Sequence, residues 1–208
     1  ELSASLSYSL TYMTTTPRRR HPKQRPSVDA RILIAGDPDV GKTSTWNCLA
    51  RLPKEEALNT VRTLDADILT LEYDYEDGRT MTLEVVDIAG QLDAAPLVRM
   101  YYHNIDAVLL VCDVTRPETL TNLASRWLPE IDQFRTGRGK PQFMLIANKC
   151  DLPQHITRQH VRAFCKEHAI GQYVMSSAAT WTWVAYPNPI EAFFLWLVGQ
   201  VLMRRRSL

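Results

Sequence analysis

From Ala30 onward, short apolar runs alternate with longer amphipathic segments. The runs are RILIAG, TLEVVDIAG, AVLLVCDV, QFMLIANKCD and QYVMSS. Runs this short and this rich in Val, Ile and Leu predict strands buried on both faces of a sheet. Between them the apolar positions recur at helical spacing. Thr43 to Leu52 follows the first run, and Thr115 to Phe134 carries Leu120, Leu123, Trp127, Leu128, Ile131 and Phe134, with Thr115 and Glu118 as a capping box. Thr157 to His168 and Ile190 to Met203 predict two further helices. The segment DILTLEYDYEDGRTMTLEVVD predicts two strands joined by a turn at Glu76-Asp77-Gly78, one antiparallel hairpin in an otherwise parallel sheet. Strands alternating with helices predict an α/β fold, and no internal repeat is present.

Composition narrows the picture. With 208 residues, of which 45% are hydrophobic and 23% charged, the chain can bury a core, and one domain is the default. Residues 1–29 differ: a Ser/Thr/Tyr-rich stretch leads into the basic run PRRRHPKQRP, with no periodicity, which predicts a disordered basic arm ahead of a domain over 30–208. A formal net charge of +1 gives no global attraction for nucleic acid. Cys48, Cys112, Cys150 and Cys165 form no CxxC pair, so neither a disulfide framework nor a zinc site is indicated, and a reducing compartment fits. No stretch reaches the roughly 18 apolar residues that a bilayer crossing needs.

The first strand runs directly into Gly36-Asp37-Pro38-Asp39-Val40-Gly41-Lys42-Thr43, a complete G-x-x-x-x-G-K-[ST] between a strand and a helix. Glycine allows a tight loop whose backbone N–H groups face a phosphate, and the helix N-terminus adds positive potential. Lys42 then reaches the terminal phosphates and the Thr43 hydroxyl binds Mg²⁺. Contacts to the nucleotide are expected from Asp39, Val40, Gly41, Lys42, Thr43 and Ser44. This loop alone does not separate ATP from GTP.

Asn148-Lys149-Cys150-Asp151 closes the strand QFMLIA at its carboxyl end, where open α/β sheets bind ligands. A carboxylate at Asp151 accepts from both N1–H and the exocyclic amine of guanine, whereas adenine presents an acceptor at N1. Mispairing of this kind is worth a factor on the order of 10⁴ in buried sites. Asp87-Ile88-Ala89-Gly90-Gln91 ends the second hairpin strand. There Asp87 can hold Mg²⁺ through water, Gly90 can offer its N–H to a γ-phosphate, and the Gln91 amide can position an attacking water, since phosphoryl transfer needs placement more than a strong base.

GDPDVGKT, DIAGQ, NKCD and SSA (Ser176 to Ala178), in this order, resemble the small GTPases of the Ras superfamily over about residues 30 to 205. YYHNIDAVLLVCDVT followed by WLPEIDQF resembles the Rab family in divergent form. The resemblance implies a P-loop NTPase fold with a six-stranded, mostly parallel sheet, one antiparallel hairpin and helices on both faces. It also implies a cycle between GTP- and GDP-bound switch conformations. Ser177 and Ala178 would supply a backbone contact to the guanine carbonyl; the lysine that usually follows in the family is Ala179 here. In switch I, Thr63 of TLDADI is the expected Mg²⁺ ligand, with Thr60 as competitor. The aromatic residue that family members place before this threonine is missing from ARLPKEEALNTVR.

Two further departures stand out. Pro38 supplies no N–H in the phosphate loop; its ring would either crowd an incoming arginine finger or serve as a rigid turn residue. The segment ATWTWVAYPNP, longer than its family counterpart, holds Trp181, Trp183 and Tyr186, either as a partner patch or as a satellite core with the last helix.

The expectation is a cytoplasmic Rab-like GTPase that uses Gln91 and Lys42 in catalysis, binds Mg²⁺ through Thr43, Thr63 and Asp87, and meets an exchange factor, an activating protein and effectors. A GTP-bound structural subunit of a transport complex, for example intraflagellar, is the alternative; Pro38 and the unusual switch I favour it and Gln91 opposes it. A P-loop kinase is opposed by NKCD. The ending VLMRRRSL holds no cysteine for a prenyl group, so membrane contact is expected to be partner-mediated or weakly electrostatic.

Overall fold

Each apolar run forms a strand of one sheet. A computed structural model describes residues 29–49, 66–74, 80–88, 100–137, 139–180 and 182–184. Its strands are β1 (Ala30–Ala35), β2 (Ala66–Asp74), β3 (Thr80–Ile88), β4 (Ala107–Asp113), β5 (Gln142–Asn148), β6 (Gln172–Ser177) and β7 (Thr182–Val184), arranged β2-β3-β1-β4-β5-β6-β7. The expected six strands are present, parallel from β3 to β6, with β2 antiparallel on β3. β7 adds a seventh, three-residue strand, antiparallel on β6, within the segment read as an aromatic insertion.

The helices are α1 (Lys42–Leu49), α2 (Pro117–Asn122), α3 (Leu128–Phe134) and α4 (Arg158–Glu167); a π turn, Leu123–Trp127, joins α2 to α3. Pleating sends alternate side chains to opposite faces. Leu33, Val86, Val108, Leu110 and Leu145 share one face and pack with Leu123, Trp127, Ile131, Val161 and Phe164. Ile32, Val85, Leu109 and Ile146 point the other way and are equally buried. Trp46 of α1 is buried outside the first cluster, and α1 packs against β3. Burial on both faces explains why β4 reads as a continuous apolar run, each such Leu or Val contributing about 1.5–3 kcal/mol.

Several local expectations change. The helix expected from Thr115 starts at Pro117, and its N-cap residue Arg116 makes no side-chain cap bond. Proline holds the preceding residue in extended backbone, and Thr115 Oγ1 donates instead to Asp113 Oδ1 at 2.7 Å. Asp29, assigned to the arm, is bonded to β3: its N–H donates to Thr82 O at 2.8 Å and its carboxylate accepts from Thr82 N at 2.9 Å. The turn at Glu76 to Gly78, the helix Ile190 to Met203 and the rest of the arm lie outside the described residues. Among the described residues, no helix is long and apolar enough to cross a membrane.

α4 starts as the sequence predicts. Thr157 Oγ1 accepts from His160 N, and His160 Nδ1 accepts from Thr157 N, a reciprocal cap. Thr157→Ala is expected to lower stability by about 1 kcal/mol in urea denaturation with an unchanged m-value.

Candidate nucleotide site

The phosphate loop, the end of β3, and the loops after β4, β5 and β6 gather at the carboxyl edge of the parallel strands, and side-chain bonds tie them to one another. Gly36 leaves β1 at φ +149°, and a Cβ there would lie 2.2 Å from the carbonyl oxygen of Val111 in β4. Gly41 at φ +90° would place a Cβ 2.4 Å from Asn148 Nδ2. Both positions therefore require glycine, for closeness as well as for backbone angle. Asp39 also takes a positive φ, 61°.

Lys42 is buried, and its ammonium donates to the carbonyls of Gly36 (3.0 Å) and Asp37 (2.9 Å), which folds the side chain back across the loop. Loss of hydration lowers its pKa to about 8, against the opposing pull of Asp87, Asp37 and Asp39. A cation held dry is a strong counter-charge for an incoming phosphate. At the start of the same helix, Thr43 Oγ1 donates to Asp87 Oδ2 at 2.5 Å. Two of the three residues chosen from sequence as metal ligands thus meet, and a hydroxyl beside a carboxylate is a hard-oxygen pair of the kind Mg²⁺ prefers.

On the far side, the Asn148 amide links three loops: Nδ2 donates to Val40 O at 2.9 Å, and Oδ1 accepts from Ala178 N at 3.1 Å and Ser176 Oγ at 3.4 Å. The Ala178 N–H, assigned by resemblance to a guanine carbonyl, donates to this amide here. Lys149, at φ +65°, sends its ammonium to Asp39 O at 2.7 Å and to Asp113 Oδ2 at 2.7 Å. Asp113 also accepts from Thr115 N and Oγ1 and from Arg116 Nε. Burial opposes its ionisation, but the bonds from Lys149 and Thr115 outweigh that and hold the carboxyl below the ordinary aspartate range. Asp151, in the turn after β5, is exposed. Ser177 is buried at the end of β6, and its Oγ accepts from Thr180 N at 3.1 Å.

Thr60, Thr63, Gly90 and Gln91 lie outside the described residues, as do the side chains of Trp181, Trp183 and Tyr186. Sequence reasoning passed over Asp113, which its place at a strand's carboxyl end could have signalled. It also passed over Arg116, whose Nη2 donates to Pro38 O at 3.0 Å. Proline's missing N–H is thus accompanied by a carbonyl held by a guanidinium.

The Ras family model matches residues 31–198, most of the chain. The chain belongs to the Ras family. Its relatives include Rab proteins: human Ras-related protein Rab-7L1 is 32% identical over 151 residues, 71% of this chain and 72% of the relative. Human Ras-related protein Rab-12 is 28% identical over 90% of this chain and 72% of its own length. Ras-related protein Rab-5B of Plasmodium falciparum is 27% identical over 81% of this chain and 78% of its own. The sequence is thus a divergent, Rab-like Ras-superfamily GTPase.

The dry lysine has a measurable consequence. With its pKa near 8 in the free protein, Lys42 is mostly neutral at pH 8.5, and phosphate binding, which favours the ammonium, draws a proton in. At pH 7 the ammonium is already formed. Calorimetric titration with GDP in buffers of different ionisation heat is expected to show proton uptake rising to more than about half a proton at pH 8.5. Heats that do not depend on the buffer at either pH would contradict the burial of this cation.

Proposed function

We propose that this Rab-like GTPase binds GDP and GTP with Mg²⁺, hydrolyses GTP slowly, and acts as a nucleotide-dependent switch in intracellular trafficking. The observation that carries the reading is the joining of the phosphate loop to the NKCD turn through Asn148 and Lys149, with the Thr43–Asp87 pair at the other end. In this reading one edge holds the groups for phosphate, metal and base.

In this reading Lys42 binds the β- and γ-phosphates, and the loop N–H groups from Asp39 to Ser44 surround them. Thr43, Asp87 and, in the GTP form, Thr63 would hold Mg²⁺, which when bound neutralises charge on the phosphate oxygens. Gly90 donates to the γ-phosphate and Gln91 orients the attacking water. Asp151 selects guanine, and the backbone at Ser177 and Ala178 borders the base. Ordering of the segments around Thr63 and Gln91 is what exchange factors, activating proteins and effectors would read. The protein is proposed to be cytoplasmic, with membrane contact made through partners or weakly through its arginine runs.

Two substitutions test separate parts. Asp151→Asn is expected to move preference from guanine to xanthine nucleotides in competition binding, because an amide donates to the carbonyl that replaces guanine's amine. Unchanged GTP affinity with no gain for xanthosine triphosphate would remove Asp151 from the base site. Gln91→Leu is expected to slow single-turnover hydrolysis at least tenfold, on the order of the loss of one positioned group, with GTP affinity preserved. A leucine variant as fast as the parent would take Gln91 out of the reaction.

A further inference from the structure

Asp37 is the second residue of the phosphate loop, and its side chain turns away from the phosphate side into the body of the protein. It is 7% exposed. Oδ1 accepts from the indole Nε1 of Trp127 at 2.9 Å and Oδ2 accepts from Asn122 Nδ2 at 2.6 Å. Both donors come from the α2–α3 helix, 85 and 90 residues away in sequence.

Their convergence depends on a local irregularity. Residues five apart on an α-helix point about 140° away from each other, at 3.6 residues per turn. Asn122 and Trp127 are five apart, and between them lies the π turn Leu123–Trp127, in which Leu128 N bonds back to Leu123 O. A five-residue turn brings such positions nearly over one another. The wide turn therefore lets one helix present two donors to one carboxylate. Trp127 is itself fixed: its ring is buried in the core cluster, and Arg126 stacks over it at 4.7 Å.

The main chain of the gripped residue completes the connection. The carbonyl of Asp37, with that of Gly36, holds the Lys42 ammonium. One residue on, Pro38 O is held by Arg116 at the start of the same helix. We propose that Asp37 is a positioning residue for the phosphate groups of the nucleotide, and that the π turn exists to grip its carboxylate so that the carbonyls carrying Lys42 stay in place. The proposal rests on the guanine-nucleotide reading above.

A positioning role through Lys42 acts on the β-phosphate and not on the base. Affinities for GDP and GMP are therefore compared by competition against fluorescent GDP, for the full chain with Mg²⁺. Asp37→Ala is expected to lower the GDP-over-GMP affinity ratio about tenfold, the scale of hydrogen bonds to a charged group. Trp127→Phe, which keeps an apolar ring but removes the indole N–H, is expected to move the ratio in the same direction, and decides the matter should Asp37→Ala fail to fold. Asp37→Asn retains an acceptor for Trp127 and is expected to stay within about threefold of the parent. A ratio unchanged in both disruptive variants, or equal weakening of GDP and GMP, overturns the positioning role while leaving nucleotide binding intact. A parent that binds no GDP overturns the functional reading, and this proposal with it.

Discussion

The buried amide of Asn148 is the contact on which the site depends. It is 2% exposed at the end of β5, and its two ends hold the phosphate loop at Val40 and the β6 loop at Ser176 and Ala178. A buried amide left without partners costs about 1–3 kcal/mol per group, so these loops are stable only when they come together. The glycine at position 41 follows from the same contact, because any Cβ there would displace the Asn148 nitrogen. The phosphate loop and the NKCD turn are thereby held in fixed relation at the edge of the sheet.

Charge is arranged around the same tie. Asp113 and Lys149 form a partly buried pair, and Lys149 also reaches the Asp39 carbonyl. Taking these ions from water is costly unless their remaining hydrogen-bonding capacity is filled, and Thr115 and Arg116 fill it on the carboxylate. Lys42 donates to two neutral backbone carbonyls rather than to a carboxylate, and its burial depresses the charged form. The two lysines thus differ in the charge of their partners: Lys149 is bonded to a carboxylate and a carbonyl, Lys42 to two neutral carbonyls.

Much of this was legible in the chain. GDPDVGKT and NKCD could be read because their chemistry is local: backbone turns, a following helix and a strand's carboxyl end are all written within a few residues. The strand runs and α4 were readable for the same reason, with Thr157 capping as its residue type requires. Contacts between segments distant in sequence were not. Trp127 fits the apolar stripe of a helix, and nothing in its spacing reveals a π turn that turns its N–H toward Asp37. Thr115 resembled a cap, but Pro117 moved the helix start and Asp113 took the hydroxyl. β7 was hidden in an aromatic segment whose only strand signal is three residues long.

Selection of guanine over adenine is the most direct measure of whether the joined loops form a nucleotide site of this kind. Equilibrium titration of the purified protein with GDP and with ADP, in Mg²⁺ at pH 7, separates the base from the phosphates because the two ligands share the latter. A preference for GDP on the order of 10³-fold or more is expected from mispaired buried polar groups. Equal affinity for GDP and ADP would contradict a guanine site at the NKCD turn.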